Sequence, residues 1–429
     1  MLMFREKINE LKDWKESKFR KPLVVRGARQ VGKTWLLKEF GNTYYDKLVY
    51  INFEEAITLK DIFVNDFDID RIITILQIFS NTTITAENTL IVFDEIQSVE
   101  GGITSLKYFC ENSPQYHIIA AGSLLGMGLH NKVSYPVGKV DFMDLRPLSF
   151  YEFLLALNEN TLVDVLKEKK WDVLSVFKEK LKDYLRFYFY VGGMPEVVDA
   201  YAKTKDWNLV RKIQNRLLIS YEGDFSKHAP KEIVPRIRMV WQSIPSQLAK
   251  ENKKFIYGLI KEGSRAKDFE LAIQWLIECG LLLKTNRVSK PGMPLIAYQD
   301  LSAFKLFLLD VGLLGAMADL NVKTIIEGDK IFTEFKGALT EQYVMQQLRV
   351  NNTIYIGYWT NDGSSYEVDF LIQKDGEIIP IEVKANENLK AKSFQSFCNK
   401  YNPKKAIRTS LSDYKEESWM TNIPLYAID

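Results

Sequence analysis

The chain has 429 residues, of which 46% are hydrophobic and 26% charged, and its formal net charge is +2. That length exceeds one ordinary hydrophobic core, so two or three domains are expected. No stretch approaches the ~18 uncharged apolar residues a membrane helix needs. Only three cysteines occur, Cys110, Cys279 and Cys398, far apart and odd in number. This argues against a disulfide framework and for a reducing, cytoplasmic setting. With three histidines and no Cys-x-x-Cys, a structural zinc site is not expected.

The first twenty residues are charged and helix-like, without an apolar signal core. From about residue 20 to 150, the apolar runs PLVVRG, KLVYINF, TLIVFDE and YHIIAAGS alternate with helical stretches. Nearly continuous apolar strands separated by helices predict an α/β domain over residues 1–150, with a parallel sheet covered on both faces. From 151 to about 325 the spacing of apolar residues is helical, as in SFYEFLLAL and LKDYLRFYFYV. There DFELAIQWLIECGLLLKTNRV reads as a helix running through Gly280 into a strand. Helices followed by a β-ribbon predict a winged-helix-like middle domain; a helical lid or dimerisation module has the same composition. From 326 to 429, one amphipathic helix, FTEFKGALTEQYVMQQL, precedes the strands TIYIGYWT, YEVDFLIQ, IIPIEVKA and KKAIRTS. Lys374-Asp375-Gly376 between two of them is hairpin chemistry.

Gly27-Ala28-Arg29-Gln30-Val31-Gly32-Lys33-Thr34 fits the P-loop spacing G-x-x-x-x-G-K-[ST], with a strand before it and a helix from Trp35 after it. Glycines let backbone N–H groups wrap a phosphate, and the helix N-terminus favours an anion. Lys33 is expected to reach the β- and γ-phosphates of ATP, and Thr34 to ligate Mg2+. The strand Thr89–Phe93 ends in Asp94-Glu95, the pattern of a Walker B strand. Asp94 is placed on the Mg2+ shell, and Glu95 is placed to orient and activate the attacking water. Such chemistry often uses one more positive charge. Arg29, Arg146 and Arg186 are the candidates, and the sequence does not choose among them.

The phrases GARQVGKT, RPLSFYEFL and YVGGMPEVV, with FKLFLLDVGLLG and FKGALTEQYV further on, resemble a prokaryotic AAA-type P-loop ATPase family. Its members carry a C-terminal domain of unknown function of the 4143 type. The resemblance covers essentially the whole chain. It implies an AAA+ core, a winged-helix-like middle and a restriction-endonuclease-like C-terminal fold. It also implies a polar γ-phosphate sensor at the end of the fourth strand, for which Ser123 is the candidate; a helix-capping hydroxyl is the alternative. Gly138-Lys139 departs from the Gly-Arg common in relatives, which removes any arginine role at that position.

Asp369 closes the strand YEVD, and Glu382-Val383-Lys384 lies on the next. Alternation puts Glu382 and Lys384 on one face, and a hairpin brings Asp369 beside them. With Glu341 on the preceding helix, this is the PD-(D/E)xK constellation, able to bind Mg2+ and polarise a water. A surface salt-bridge ladder and an inactive nucleic-acid-binding module remain the alternatives.

The window 226–267 holds ten Lys or Arg against three Glu, and 380–410 holds seven against two. Such clusters attract phosphate backbones, or are simply solvated helical faces. Two functions stand side by side. One is an ATP-driven switch acting on DNA or RNA. The other is a nucleotide-dependent switch recognising a protein partner, with a homo-oligomer among the expected states.

Overall fold

The computed structural model describes residues 4–64, 66–122, 136–250, 254–322, 335–350, 354–361, 366–385 and 392–428. The chain divides into two compact units. One comprises residues 5–146 with 278–280. The other comprises 147–277 and 281–429 with 1–4.

In the first unit, β1 (Leu23–Arg26), β2 (Lys47–Asn52), β3 (Thr89–Asp94), β4 (His117–Gly122) and β5 (Asp141–Asp144) form one sheet in the order β2-β3-β4-β1-β5. All its pairings are parallel. Every residue of β3 and β4 is buried, as expected of strands covered on both faces. Helices α1 (Lys7–Glu16), α2 (Lys33–Tyr44), α3 (Ile69–Ser80) and α4 (Gly102–Asn112) complete the unit. Helix α3 starts where the Asp68 carboxylate accepts the Arg71 N–H and ends at Asn81 in the left-handed region (φ 49°). The core gathers Ile51, Ile72, Ile91, Leu106 and Ile118 around an aromatic group. Phe93 sits in it against Phe53, Phe63 and Phe109, at centroid distances of 5.5, 6.0 and 5.9 Å. This is the parallel-sheet P-loop NTPase fold anticipated from the apolar runs.

The second unit begins with helices α5 (Phe150–Ala156), α6 (Asn160–Lys167), α7 (Trp171–Val176), α8 (Lys178–Val191), α9 (Pro195–Thr204), α10 (Trp207–His228), α11 (Val234–Leu248) and α12 (Ala266–Glu278). The aromatic run ending α8 is core: Tyr188, Phe189 and Tyr190 are all buried. Gly192 (φ 74°) then turns the chain into α9, whose first residue is Pro195. Both glycines there are also close approaches. A Cβ on Gly192 would lie 2.1 Å from Asp310 Oδ1, and one on Gly193 2.2 Å from the Leu148 carbonyl oxygen.

Strands β6 (Leu282–Val288), β7 (Gln299–Leu308), β8 (Ile356–Thr360), β9 (Glu367–Lys374), β10 (Glu377–Val383), β11 (Ile407–Ser410), β12 (Lys415–Glu416) and β13 (Thr421–Pro424) make a mixed sheet, ordered β12-β13-β11-β10-β9-β8-β6-β7. Helices α13 (Val311–Met317), α14 (Lys336–Val350) and α15 (Lys392–Tyr401) accompany it. The Asp375-Gly376 turn joins β9 to β10, both residues at positive φ (52° and 75°), with Lys374 opposite Glu377.

Here the structure differs from the sequence expectation. The β6–β7 ribbon, expected as the wing of a middle domain, is part of the C-terminal sheet, because β6 pairs in parallel with β8. Leu282, Leu283, Thr285 and Val288 of β6 are buried. One sheet therefore spans the boundary expected at 325, and residues on either side of it belong to one compact unit.

Candidate functional site

The P-loop connects β1 to α2, at the carboxyl end of the parallel sheet. Gly27 has a structural reason to be glycine, since a Cβ there would lie 2.2 Å from the Leu145 carbonyl oxygen. Gln30 (φ 64°) and Gly32 (φ 92°) take positive φ, which folds the loop back on itself. No side chain caps the N-terminus of α2. The first-turn N–H groups therefore face the loop without a side-chain acceptor, the arrangement a phosphate completes. Ala28 and Val31 are buried and anchor the loop, Arg29 and Trp35 are partly buried, and Gln30 is exposed.

Lys33 is buried, and its ammonium donates to the carbonyl oxygens of Gly27 (2.9 Å) and Ala28 (2.8 Å). Burial brings its pKa down to about 8, against the raising pull of the Glu95 and Asp94 carboxylates. Thr34 Oγ1 donates to Asp94 Oδ2 at 2.7 Å, and the Tyr50 hydroxyl donates to the same oxygen at 2.6 Å. Asp94 Oδ1 accepts the Glu95 N–H at 3.1 Å. Glu95 itself lies in the left-handed region (φ 50°), an uncommon conformation for a side chain other than glycine. Gln97 Nε2 holds its carboxylate at 2.5 Å. The structure thus brings Lys33, Thr34, Asp94 and Glu95 together from two strand ends. Tyr50, which shares the Asp94 oxygen, carried no motif by which the sequence could single it out.

The donors fit a hard divalent ion bound with a triphosphate. A threonine hydroxyl and an aspartate oxygen already meet, and an ammonium lies close by. Ser123 lies outside the described residues; the strand it follows, β4, runs between β1 and β3. Of the arginine candidates, Arg29 Nη2 is 3.9 Å from Glu54, and Arg146 is 3.9 Å from Asp144. Arg186 pairs with Asp183 on its own helix at 2.6 Å. Lys139 pairs with Glu111 at 2.8 Å.

The second cluster lies on β7, β9, β10 and α14. Lys384 Nζ is 2.6 Å from Glu382 Oε1, and Asp369 Oδ2 accepts the Val383 N–H at 2.7 Å. Glu341 joins them electrostatically. The four residues named from the sequence are therefore neighbours. A fifth and a sixth, missed in the sequence, change the arrangement. Lys305, wholly buried on β7, lies 3.4 Å from Glu341 and donates to Glu367. The one sequence signal for it is a lysine inside the otherwise apolar run from Ala303 to Leu309.

Burial raises the Asp369 carboxyl well above its usual range, and the Glu341 and Glu382 carboxylates add to this. Burial likewise raises Glu382, against the pull of Lys384. Burial alone would lower Lys305, but Glu341, Glu367 and Asp369 outweigh it and push its pKa up. Among the described residues, no group of three carboxylate, imidazole or thiol side chains is arranged to hold a metal ion, and in this cluster the Lys305 and Lys384 ammoniums already occupy the carboxylates. The residues present do not fit the divalent-metal site expected there.

A family model described as "AAA domain" matches residues 19–154. Models described as "Domain of unknown function (DUF8612)" and "Domain of unknown function (DUF4143)" match residues 182–324 and 336–428. No curated protein matches. Among solved structures, the Walker-type ATPase PABY2304 of Pyrococcus abyssi is 14% identical, with 74% of this chain and 96% of that one covered and a TM-score of 0.46. The Aeropyrum pernix Orc1 protein in complex with DNA is 12% identical, covering 75% and 93%, with a TM-score of 0.28. The RuvB Holliday junction branch migration motor of Thermotoga maritima is 12% identical, covering 66% and 90%, with a TM-score of 0.30.

Proposed function

We propose that this chain, which carries an AAA-type P-loop ATPase domain over residues 19–154 and a DUF4143 domain over 336–428 and hydrolyses ATP, acts through its nucleotide cycle on nucleic acid. Lys33 neutralises the β- and γ-phosphates, the first turn of α2 donates its N–H groups to them, and Glu95 orients the attacking water. Thr34 and Asp94 would hold Mg2+, which supplies charge neutralisation between the phosphates. Ser123 serves as γ-phosphate sensor in this reading.

One observation carries the choice of nucleic acid. Lys227, Lys231, Arg236 and Arg238, where α10 ends and α11 begins, are all exposed, and none forms an ion pair among the described residues. Among the described residues, Arg238 bonds to the neutral Ser226 hydroxyl, at 2.8 Å. Several exposed cations elsewhere in the same unit are paired, as in Lys180–Glu159, Lys203–Asp199 and Arg216–Glu196. Uncompensated cations side by side favour a polyanion, whose counterions they release.

The test is Mg2+-dependent ATP hydrolysis with and without single- and double-stranded DNA and RNA. Stimulation that weakens steeply with salt is expected. Replacing Lys231, Arg236 and Arg238 together by Ala should reduce it, and flatten the salt slope by about 0.9 per lost phosphate contact on duplex DNA. Turnover indifferent to all four nucleic acids would overturn this reading in favour of a switch that recognises a protein.

A further inference from the structure

We infer that Lys305 is the resident cation of the carboxylate cluster in the C-terminal sheet, and that this cluster is an ion-pair lock without a divalent metal. The sequence pattern of Asp369, Glu382 and Lys384 with Glu341 calls for Mg2+. The geometry has already filled that need from inside the chain.

All four carboxylates have partners. Glu341 and Glu367 face the Lys305 ammonium, Asp369 accepts the Val383 N–H, and Glu382 holds Lys384. The Lys305 side chain is wholly buried, and its ammonium lies 4.8 Å from the centroid of the Tyr358 ring. The β7 strand around it is buried from Ala303 to Leu308. A divalent ion entering here would have to displace that ammonium and leave it buried without a counter-charge. The lock ties β7, α14 and β9 together, three segments distant in the sequence. This conclusion does not depend on what the ATPase acts on, since neither outcome of its test involves ATP turnover.

The experiment is Mn2+ titration of the full chain without nucleotide, followed by electron paramagnetic resonance of the free ion. Three proteins are compared: wild type, Asp369→Asn and Lys305→Met. Mn2+ held by Thr34 and Asp94 is common to all three, so only the part lost with Asp369 counts. Wild type and Asp369→Asn are expected to bind alike up to millimolar Mn2+. Lys305→Met should gain one site per chain, because four carboxylates are then left with one lysine. An Asp369-dependent site in wild type would overturn the inference. So would a folded Lys305→Met chain that takes up no more Mn2+ than wild type. Should Lys305→Met fail to fold, the comparison of wild type with Asp369→Asn decides alone.

Discussion

Asp94 accepts hydrogen bonds from Thr34, from Tyr50 and from the backbone of Glu95, so a single side chain orders the acidic edge of the nucleotide site. Lys33→Ala is expected to abolish ATP binding, read by equilibrium dialysis. Glu95→Gln should keep binding while turnover falls by about 10²–10⁴-fold, the usual worth of a positioned general base. Turnover near the wild-type rate would remove Glu95 from that role. Arg5 acts one layer out. Its guanidinium is buried and donates to the carbonyl oxygens of Val31 in the P-loop (2.8 Å) and of Arg146 (2.5 Å). Arg5→Ala removes two charge-assisted bonds worth about 1.5–3 kcal/mol each, so KM for ATP should rise more than kcat falls. His117 supplies a pH dependence. Burial, with Arg20 and Lys15 nearby, lowers its pKa to about 4, and its Nδ1 is bonded to the Tyr45 hydroxyl at 2.6 Å. The folded state resists a proton that the unfolded chain accepts near 6.5, so stability should fall as pH drops from about 6.5 to 4. Denaturant midpoints at pH 7 and pH 5 measure this, and His117→Gln should shrink the difference.

At the scale of elements, α14 shows how a helix can be pinned through its glutamines. Gln342 accepts from the Leu308 N–H at 2.8 Å and donates to its carbonyl oxygen at 2.6 Å, standing in for a neighbouring strand at the end of β7. Gln346 accepts the Val311 N–H at 2.9 Å, and Gln347 accepts the Phe150 N–H at 2.8 Å. Asp310 caps α13 and also accepts the Gly193 N–H at 2.6 Å. Gln342→Leu leaves two buried backbone groups unsatisfied, at about 1–3 kcal/mol each, and should lower the melting temperature of this unit. An exposed change such as Lys203→Ala, in a solvent-exposed helical pair, should cost less than about 1 kcal/mol. In the nucleotide unit, Phe93→Ala empties the centre of an aromatic group and should cost about 3–5 kcal/mol. Elements of this kind were legible where one signal is local. The strands of the parallel sheet announce themselves as apolar runs, and the β9–β10 hairpin through Asp375-Gly376. The β6–β7 ribbon was legible as a ribbon, but its partner β8 lies some seventy residues on, and no local pattern encodes that pairing.

The whole molecule is two compact units, and only the first contains the P-loop. Heating followed by calorimetry should show two transitions, with Mg2+–ATP raising only the one that belongs to residues 5–146. At a ligand concentration 100 times Kd, that shift corresponds to about 2.7 kcal/mol. The family matches end near 324 and begin again at 336, while one sheet runs across that gap. Sequence families and folded units therefore divide this chain at different places. The sequence by itself determined the nucleotide site, because a P-loop is one continuous segment whose spacing is its geometry, and Asp94-Glu95 closes a strand recognisable on its own. It also determined that Glu382 and Lys384 share a face, since that follows from strand alternation. Only the tertiary structure decided that Lys305 and Glu367 stand beside them and Glu341, because the two come from strands that no local pattern pairs, and burial puts the Lys305 ammonium against both glutamates.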